Sequence, residues 1–377
     1  MKYAFELGHQ PHVSVAEIIS VCKRLSISYK EINTADSFYI IEVDETLDAQ
    51  VLIHILGGTI RIAHALEKKT NDVHTIAEHL EQATDGKIQF SISGINQKSL
   101  ALEVKKHLKS IGRSVRYIES KNAATVIHNN LIEKKGDIIK VGTEWFVTDA
   151  IQDIESFTRR DYERPRTDSR SGMLPPKLAR MMVNLTEAPL NAHILDPFCG
   201  SGTVLIEALS LGYTHVSGSD NSEKAVEDSI ENTRWFLKDH TSTKIETAVH
   251  LIPAEKLEKV FKKNSVDAIV SEPYMGKPLH GHESKFALES QAVELKMLYL
   301  SSFESFKQIL SPDGVIIFII PIFKSGKDWV KTNAHIEIEK LGFKVIPFSE
   351  KSTSLLYSRD NQFVGREIWK FRHANYE

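Results

Sequence analysis

The sequence contains little cysteine and no long apolar segment. Its 377 residues include only two cysteines, Cys22 and Cys199. Two thiols build neither a disulfide framework nor a four-thiolate zinc site, so we predict a protein of the reducing cytoplasm. The longest apolar run, residues 315–322, is much shorter than the roughly 20 residues that cross a membrane. We therefore predict no membrane segment, and residues 1–9 lack the apolar core of a secretory signal.

The net charge is small, but the basic residues are unevenly distributed. The chain has 47 Lys and Arg against 50 Asp and Glu, a formal net charge of −3. This balance argues against indiscriminate binding to nucleic acid. Residues 97–140 nevertheless contain 10 basic and 4 acidic side chains. Such a local excess suits one specific polyanion, although a solvated lysine-rich face has the same composition.

The first 155 residues alternate short strand-like and helical segments. Residues 1–70 read as a strand, a helix, a strand, a helix and a further apolar stretch, which predicts a small α+β unit. In residues 71–155 an amphipathic helix over 99–110 presents Lys105, Lys106 and Lys109 on its polar face. We predict that these lysines contact a phosphate backbone, because no series of aromatic residues here could stack on bases.

Residues 156–176 have the composition of a connector. They are rich in arginine and proline and show no periodicity. A stretch of this length without regular structure is uncommon in a compact protein and is often functional. We therefore predict that Arg159, Arg160 and Arg164 also contact the polyanion.

From residue 177 onward, strand and helix patterns alternate regularly. This alternation predicts a largely parallel sheet that is covered by helices on both faces. Strands are predicted at residues 193–195, 215–219, 248–252, 266–270, 315–320 and 344–348, and helices at 203–210, 223–237, 255–262, 284–310 and 327–341.

A glycine-containing loop over residues 196–203 lies between the first of these strands and the following helix. Gly200 and Gly202 let the backbone turn tightly and approach a ligand, beside the free N–H groups of the helix start. The next strand ends at Asp220, where an acid can accept hydrogen bonds from both ribose hydroxyls of an adenosine. The third glycine of a dinucleotide motif is absent, and Asp196 would repel a pyrophosphate. The pattern favours S-adenosylmethionine.

Residues that contact this cofactor are predicted at the ends of three strands. Ala254 and Glu255 follow the third strand and are candidates for the adenine edge. The full predicted set is Asp196, Phe198, Gly200, Ser201, Gly202, Thr203, Asp220, Asn221, Ala254 and Glu255.

The loop after the fourth strand is the predicted catalytic segment. It consists of Ser271-Glu272-Pro273-Tyr274 and is called the acceptor loop below. In an open α/β sheet this strand end lies beside the cofactor crevice. A polar residue followed by proline and an aromatic ring suits an amine acceptor. Oxygen atoms accept the amino hydrogens, and the ring stacks on a base.

Together these motifs resemble the archaeal and eukaryotic family of tRNA guanosine-10 N2-methyltransferases. Residues 124–130 with Lys134-Lys135-Gly136 resemble a THUMP signature, residues 160–179 the family's connector, and residues 196–203 its cofactor loop. The resemblance implies a ferredoxin-like unit over residues 1–70, an RNA-binding THUMP domain over 71–155, a connector over 156–176 and a Rossmann-like methyltransferase domain over 177–377.

The resemblance also implies an activity and a substrate. S-adenosylmethionine would donate a methyl group to the exocyclic N2 of a guanosine in tRNA, at position 10. A small partner protein activates some family members, and the sequence does not show whether this chain needs one. The family usually has Asp-Pro-Pro-Tyr in the acceptor loop. Without a gap Glu272 replaces that Asp; with a shift of one residue Ser271 does. We prefer the gapless alignment, which preserves Gly276.

Two other functions share parts of this pattern. Enzymes that methylate adenine N6 in DNA or RNA use a similar acceptor loop, and a non-catalytic RNA-binding protein could retain the fold. Methylation of pyrimidine carbon 5 needs a thiolate, but Cys199 belongs to the cofactor loop. His280 and His282 form only a pair without nearby thiols, so we predict no metal site.

Overall fold

A computed structural model of the chain describes residues 1–35, 37–93, 97–120, 122–167, 173–239, 245–359 and 362–375. The chain forms two compact units. The first contains Met1–Val15 and Leu25–Asp153, and the second contains Ala16–Arg24 and Ile154–Glu377.

The first unit is built on one eight-stranded sheet. Its strands are β1 (Lys2–Leu7), β2 (Tyr29–Ala35), β3 (Phe38–Val43), β4 (Thr59–Ala65), β5 (Ile88–Ser93), β6 (Val115–Tyr117), β7 (Asp137–Val141) and β8 (Glu144–Ile151). Their order in the sheet is β2-β3-β1-β4-β8-β7-β5-β6. The helices of this part of the chain are α1 (Pro11–Arg24), α2 (Ala49–Ile55), α3 (Asp72–Gln82), α4 (Lys98–Ser110) and α5 (Ala123–His128).

The sheet continues across residue 70, because β4 pairs antiparallel with β8. The division into separate domains over residues 1–70 and 71–155 therefore stays a prediction. The sequence patterns missed β2 and α3. β2 is a polar strand at the edge of the sheet and α3 is short, with Ile76 and Leu80 buried against α4 and β5.

The second unit contains a nine-stranded sheet. Its strands are β9 (His193–Asp196), β10 (His215–Asp220), β11 (Glu246–Leu251), β12 (Val266–Ser271), β13 (Leu310–Ser325), β14 (Asp328–Lys331), β15 (Phe343–Val345), β16 (Leu355–Tyr357) and β17 (Val364–His373). The helices are α6 (Ile154–Tyr162), α7 (Pro176–Leu185), α8 (Thr203–Ser210), α9 (Glu223–Leu237), α10 (Lys285–Ile309) and α11 (Ala334–Lys340), with a 3₁₀ helix over Ala254–Lys259.

The strand order of this sheet creates a crevice at its centre. The order is β11-β10-β9-β12-β13-β17-β15, with β14 paired to β13 and β16 to β17. The chain runs outward from β9 to β11 and then returns to β12 on the other side of β9, with all of these neighbours parallel. Ligands of open α/β sheets bind where the direction of winding reverses in this way, at the carboxyl ends of the strands. That point lies between β9 and β12.

Most predicted elements of the second unit are confirmed, and two are wrong. Residues 327–333 were predicted as the start of a helix, but Asp328–Lys331 form β14. Gly326 has a φ of 64°, which turns the chain back so that β14 pairs with β13. The predicted connector over residues 156–176 begins as helix α6 instead of a structureless segment. Its residues 168–172 lie outside the described residues.

The core of the second unit is rich in aromatic side chains. Phe303 on α10 makes edge contacts with Phe318, Phe343 and Phe371, which come from three different strands. This packing fixes α10 against the sheet, and α10 in turn supports the acceptor loop. Within the described ranges no helix is long and apolar enough to cross a membrane.

Candidate active site

A cavity of about 730 Å³ opens at the carboxyl ends of β9 to β12. This volume suits a small-molecule ligand. Twelve of the predicted site residues line it: Asp196, Phe198, Gly200, Ser201, Thr203, Asp220, Asn221, Ala254, Glu255, Glu272, Pro273 and Tyr274. Gly202 and Ser271 are not in its wall.

The cofactor loop has a backbone that only glycine adopts easily. Gly200 and Gly202 have φ values of 50° and 85°, in the left-handed region. Gly202 also caps the start of α8, and a Cβ atom there would lie 2.7 Å from the Ser229 Oγ on α9. Glycine at residue 202 therefore permits both the turn and the close approach of α9.

Asp220 is held at the edge of the cavity by backbone donors. Its Oδ2 accepts a hydrogen bond from the Gly200 N–H at 3.0 Å, and its Oδ1 accepts one from the Ser222 N–H at 2.9 Å. Each carboxylate oxygen has a second lone pair. The residue can therefore bind two hydroxyl groups without giving up its own fixed position.

We expect Asp220→Ala to raise the dissociation constant for S-adenosylmethionine at least tenfold. A hydrogen bond to a charged group contributes about 1.5–3 kcal/mol, and the substitution removes the acceptor of both ribose hydroxyls. Isothermal titration calorimetry measures the change. Glu223→Ala, which removes an exposed acid three residues further along the chain, is the control. Unchanged affinity in folded Asp220→Ala protein would show that Asp220 does not bind the ribose.

Asp196 is a buried carboxyl group at the end of β9. Its Oδ1 accepts hydrogen bonds from the Ser271 hydroxyl at 2.7 Å and from the Phe198 N–H at 3.1 Å. Burial raises the pKa of Asp196 to about 7; the neighbouring Asp220 and Glu272 act in the same direction, and the two hydrogen bonds oppose it. Three carboxyl groups therefore lie close together at the cavity wall, where a bound cation would favour their ionised, negatively charged forms.

This charge fits the cofactor that the sequence predicts. Asp196, Asp220 and Glu272 all line the cavity. S-adenosylmethionine carries a sulfonium and an ammonium group, which they attract, whereas a pyrophosphate would be repelled. The residues present therefore suit this cofactor. Asp220 is suited to bind the ribose, Ala254 and Glu255 are suited to contact the adenine, and Asp196 is suited to attract the cationic methionine part.

The acceptor loop places Ser271 and Glu272 differently. Ser271 is fully buried and its hydroxyl donates to Asp196, behind the cavity. Glu272 lies in the cavity wall, where its Oε1 accepts a hydrogen bond from the Arg366 Nε–H at 2.5 Å. Burial raises the pKa of Glu272, and the ion pair with Arg366 opposes that rise. This placement favours the gapless alignment of the acceptor loop.

Tyr274 follows at the mouth of the cavity. Its side chain is 54% exposed, and its carbonyl oxygen accepts a hydrogen bond from the hydroxyl of the buried Tyr299 at 2.7 Å. Pro273 restricts the backbone on the other side. An accessible ring on a fixed backbone is suited to stack on a base.

The structure corrects the role predicted for Arg160 and Arg164. Both side chains are buried, so neither can contact a phosphate backbone. Arg160 and Arg180 both pair with the buried Glu207 of α8, at 2.5 and 2.8 Å. The Nη1 of Arg164 donates to the Thr203 hydroxyl at 2.7 Å. The two connector arginines thus anchor α6 and the chain after it to α8, the helix that follows the cofactor loop.

Arg159 and the three lysines of α4 remain accessible. Arg159 is exposed and pairs with Asp239 at 2.5 Å. Lys106 and Lys109 are exposed and Lys105 is half-buried, and none of the three forms an ion pair with a described residue. Their predicted contact with a polyanion stays a prediction.

Two site residues were not anticipated from the sequence. Arg366 comes from β17 and Asn232 from α9. The buried Asn232 side chain donates to the carbonyl oxygens of Ser201 and Arg166, both at 2.8 Å, and so joins the connector to the cofactor loop. An asparagine on the buried face of a helix was the available signal for it.

Cys199 is the thiol beside the cavity. Cys199 is buried, and burial raises the pKa of its thiol well above the ordinary value, which disfavours the thiolate that a nucleophile needs. No group of three or more His, Cys, Asp or Glu among the described residues could hold a metal ion.

Two family models match the chain. One, described as an RMKL-like methyltransferase domain, matches residues 163–343, which include both the cofactor loop and the acceptor loop. The other, described as a DNA methylase, matches residues 12–231 and ends before the acceptor loop. The first match therefore covers every residue that lines the cavity.

Curated relatives include two archaeal enzymes named tRNA (guanine(10)-N2)-dimethyltransferase. The one from Pyrococcus abyssi is 30% identical over 198 residues, 51% of this chain and 51% of the relative. The one from Methanothermobacter thermautotrophicus is 24% identical over 322 residues, 82% of this chain and 86% of the relative. The match thus spans about half the length of the first relative and most of the second.

The fold has a counterpart among solved structures. The crystal structure of TrmN from Thermus thermophilus has a TM-score of 0.54 and 15% identity, and the match covers 99% of this chain and 100% of that one. The second unit is an α/β Rossmann-like methyltransferase domain, and the family match and the cavity together assign S-adenosylmethionine as its cofactor. The chain is thus similar to the tRNA (guanine-N2) methyltransferases, and its residues 163–343 match the RMKL-like methyltransferase domain.

Proposed function

We propose that this chain transfers a methyl group from S-adenosylmethionine to the exocyclic N2 of a guanosine in tRNA, at position 10. The observation that carries the proposal is the Glu272 carboxylate in the wall of the cofactor cavity, at the end of β12 and beside the end of β9. The names of the curated relatives support the choice of substrate. Because tRNA is the substrate, we infer that the protein acts in the cytoplasm.

The chemistry requires a positioned acceptor. The lone pair of a guanine amine is delocalised into the ring, so the amine must be held in line with the methyl group. When bound, S-adenosylmethionine supplies a methyl group whose carbon–sulfur bond breaks with the electron pair going to sulfur. Glu272 accepts a hydrogen of the amine, stabilises the positive charge that develops on nitrogen, and takes the proton directly or through water.

Tyr274 completes the acceptor site. A base inside a folded tRNA is not accessible to a cavity at a strand end, so it must be drawn out of its stack. The half-exposed Tyr274 ring offers it a stacking surface at the cavity mouth. The hydrogen bond from Tyr299 to the Tyr274 carbonyl keeps that surface in place.

The first unit supplies contacts to the tRNA backbone in this proposal. Lys105, Lys106 and Lys109 share one side of α4, without ion pairs to described residues. Arg116 on the adjacent part of the chain is also exposed. These groups are suited to bind phosphates and carry no information on base sequence, as expected if residues 71–155 are a THUMP domain.

Replacing Lys105, Lys106 and Lys109 together by Ala is expected to weaken tRNA binding and to flatten its dependence on salt. Each lysine that neutralises a phosphate releases about one counterion, so the slope of log K against log salt should fall by roughly 2 to 3. Filter binding at several salt concentrations measures the slope. Lys259, Lys262 and Lys263 replaced by Ala are the charge-matched control. An unchanged slope would show that the α4 lysines form only a solvated face.

The decisive experiment incubates the purified chain alone with labelled S-adenosylmethionine and unmodified tRNA, followed by digestion to nucleosides. We expect the label in N2-methylated guanosine at position 10. Activity of the chain alone would also show that no activating partner protein is needed. Label only in N6-methyladenosine, or only in DNA, would favour the adenine methyltransferase that the DNA methylase match suggests. Absence of cofactor binding in calorimetry would indicate a non-catalytic RNA-binding protein.

A further inference from the structure

The ion pair between Glu272 and Arg366 joins the acceptor loop to β17, which lies two strands away from β12 in the sheet. Arg366 lies on β17, opposite Pro321 of β13 and Tyr357 of β16. Its Nε–H donates to the Glu272 Oε1 at 2.5 Å, and the two side chains are 15% and 11% exposed. Glu272 lines the cavity and Arg366 is not among its lining residues, so the arginine is fixed directly beside a residue of the cavity wall.

Only part of the hydrogen-bonding capacity of Arg366 is used in this pair. A guanidinium carries five N–H donors in a planar fork. Neither its Nη1 nor its Nη2 has a partner among the described residues, and neither is among the buried polar atoms that lack one. The Oε2 of Glu272 likewise has no described partner. Free donors and a free acceptor thus lie side by side.

This juxtaposition matches one purine better than the other. The Watson–Crick edge of guanine presents two donors, the N2 amine and N1–H, followed by the O6 acceptor. The edge of adenine presents the N6 amine, followed by the N1 acceptor, and has no oxygen. A carboxylate next to an arginine complements both donors and the O6 acceptor of guanine, whereas adenine offers the carboxylate only one donor and has an acceptor at N1 where guanine has a donor.

We propose that Glu272 and Arg366 together recognise guanine, with the carboxylate accepting hydrogens from N2 and N1 and an Nη group of Arg366 donating to O6. The inference rests on the proposed function and assigns its base specificity to a residue outside the acceptor loop. Arg366 has two effects in this arrangement. It orients Glu272 for any substrate, and it contributes a contact that only a 6-oxopurine receives.

The two effects are separated by a substrate that keeps the 2-amino group and lacks both O6 and the N1 hydrogen, because only the O6 contact depends on Arg366. Synthetic tRNAs carrying either guanosine or 2-aminopurine riboside at position 10 serve this purpose. We compare kcat/KM on both substrates for the wild type, Arg366→Met and Arg366→Lys. Arg372→Met, an equivalent change further along β17, is the control, and calorimetry with S-adenosylmethionine verifies that each variant is folded.

We expect the wild type to prefer guanosine over 2-aminopurine by roughly 10- to 100-fold, the usual discrimination of a good base contact. In Arg366→Met the part of this preference that comes from O6 should be lost, so the preference should fall about fivefold or more. The part that comes from the N1 hydrogen, which contacts Glu272 and is also absent from 2-aminopurine, should remain. Arg366→Lys, with a single donor group, should retain part of the preference. Arg372→Met should retain all of it.

Two outcomes would contradict the inference in different ways. If Arg366→Met slows both substrates by the same factor, the preference is unchanged and Arg366 acts only by orienting Glu272. If the wild type transfers no methyl group to guanosine at position 10, the proposed function itself fails, and this inference fails with it.

Discussion

Glu272→Gln is expected to lower the turnover number for tRNA methylation about a hundredfold at saturating cofactor and tRNA. The substitution keeps the size of the side chain but removes the negative charge and one of its two hydrogen-bond acceptors. The amine then lacks a base for its proton and a counter-charge for the developing cation. Asp220 and the cofactor loop are unchanged, so the dissociation constant for S-adenosylmethionine should stay within a few-fold of the wild-type value.

Ser271→Ala is the matched comparison for this prediction. The Ser271 hydroxyl donates to Asp196 and is fully buried behind the cavity wall, so its loss should affect turnover much less than the loss of the Glu272 charge. Single-turnover kinetics with labelled cofactor measure both variants. A crippled Ser271→Ala enzyme beside an active Glu272→Gln enzyme would show that the acceptor loop aligns with the shift of one residue.

The cofactor loop could be predicted from the sequence because its determinants are local. Two glycines at a strand–helix junction and an acid at the end of the next strand specify one arrangement of the backbone. Gly200, Gly202 and Asp220 occupy those positions, and the Gly200 N–H bonds to Asp220. The parallel part of the second sheet, β9 to β13, followed equally from the alternation of strands and helices, whereas β14 to β17 pair antiparallel and were not predicted to do so.

The errors concern contacts between distant parts of the chain. Arg160 lies 47 residues from Glu207 and Arg366 lies 94 residues from Glu272. We predicted that the connector arginines bind a polyanion only because this segment is rich in basic residues, and the sequence spacing did not reveal their buried partners. Glu207 within the apolar helix TVLIEALS was the signal that a buried counter-charge was needed, because a buried carboxylate is costly unless it is paired.

Asp196→Asn is expected to stabilise the cofactor-free protein at pH 8 and to have little effect near pH 4. The folded-state pKa of Asp196, about 7, lies above the ordinary value of 3.8. The folded state therefore binds this proton more tightly than the unfolded chain does. The stability contributed by the protonated group is fully present below about pH 4 and is lost as the pH rises through 7. Above pH 7 the wild type bears the cost of a buried charge, at most about 4 kcal/mol.

Asparagine removes this cost without removing the contacts of Asp196. The Oδ1 atom alone accepts both hydrogen bonds, from Ser271 and from the Phe198 N–H, and an asparagine oxygen can accept the same two. Thermal unfolding of both proteins between pH 4.5 and 8 measures the difference, with Asp267→Asn on the exposed side of β12 as the control. A difference that does not grow with pH would show that folding does not raise the pKa of Asp196. A bound cation stabilises the ionised form of Asp196, so Asp196→Asn should also weaken S-adenosylmethionine binding. Weaker binding would show that the buried carboxylate, although it destabilises the cofactor-free protein above pH 7, contributes to cofactor affinity.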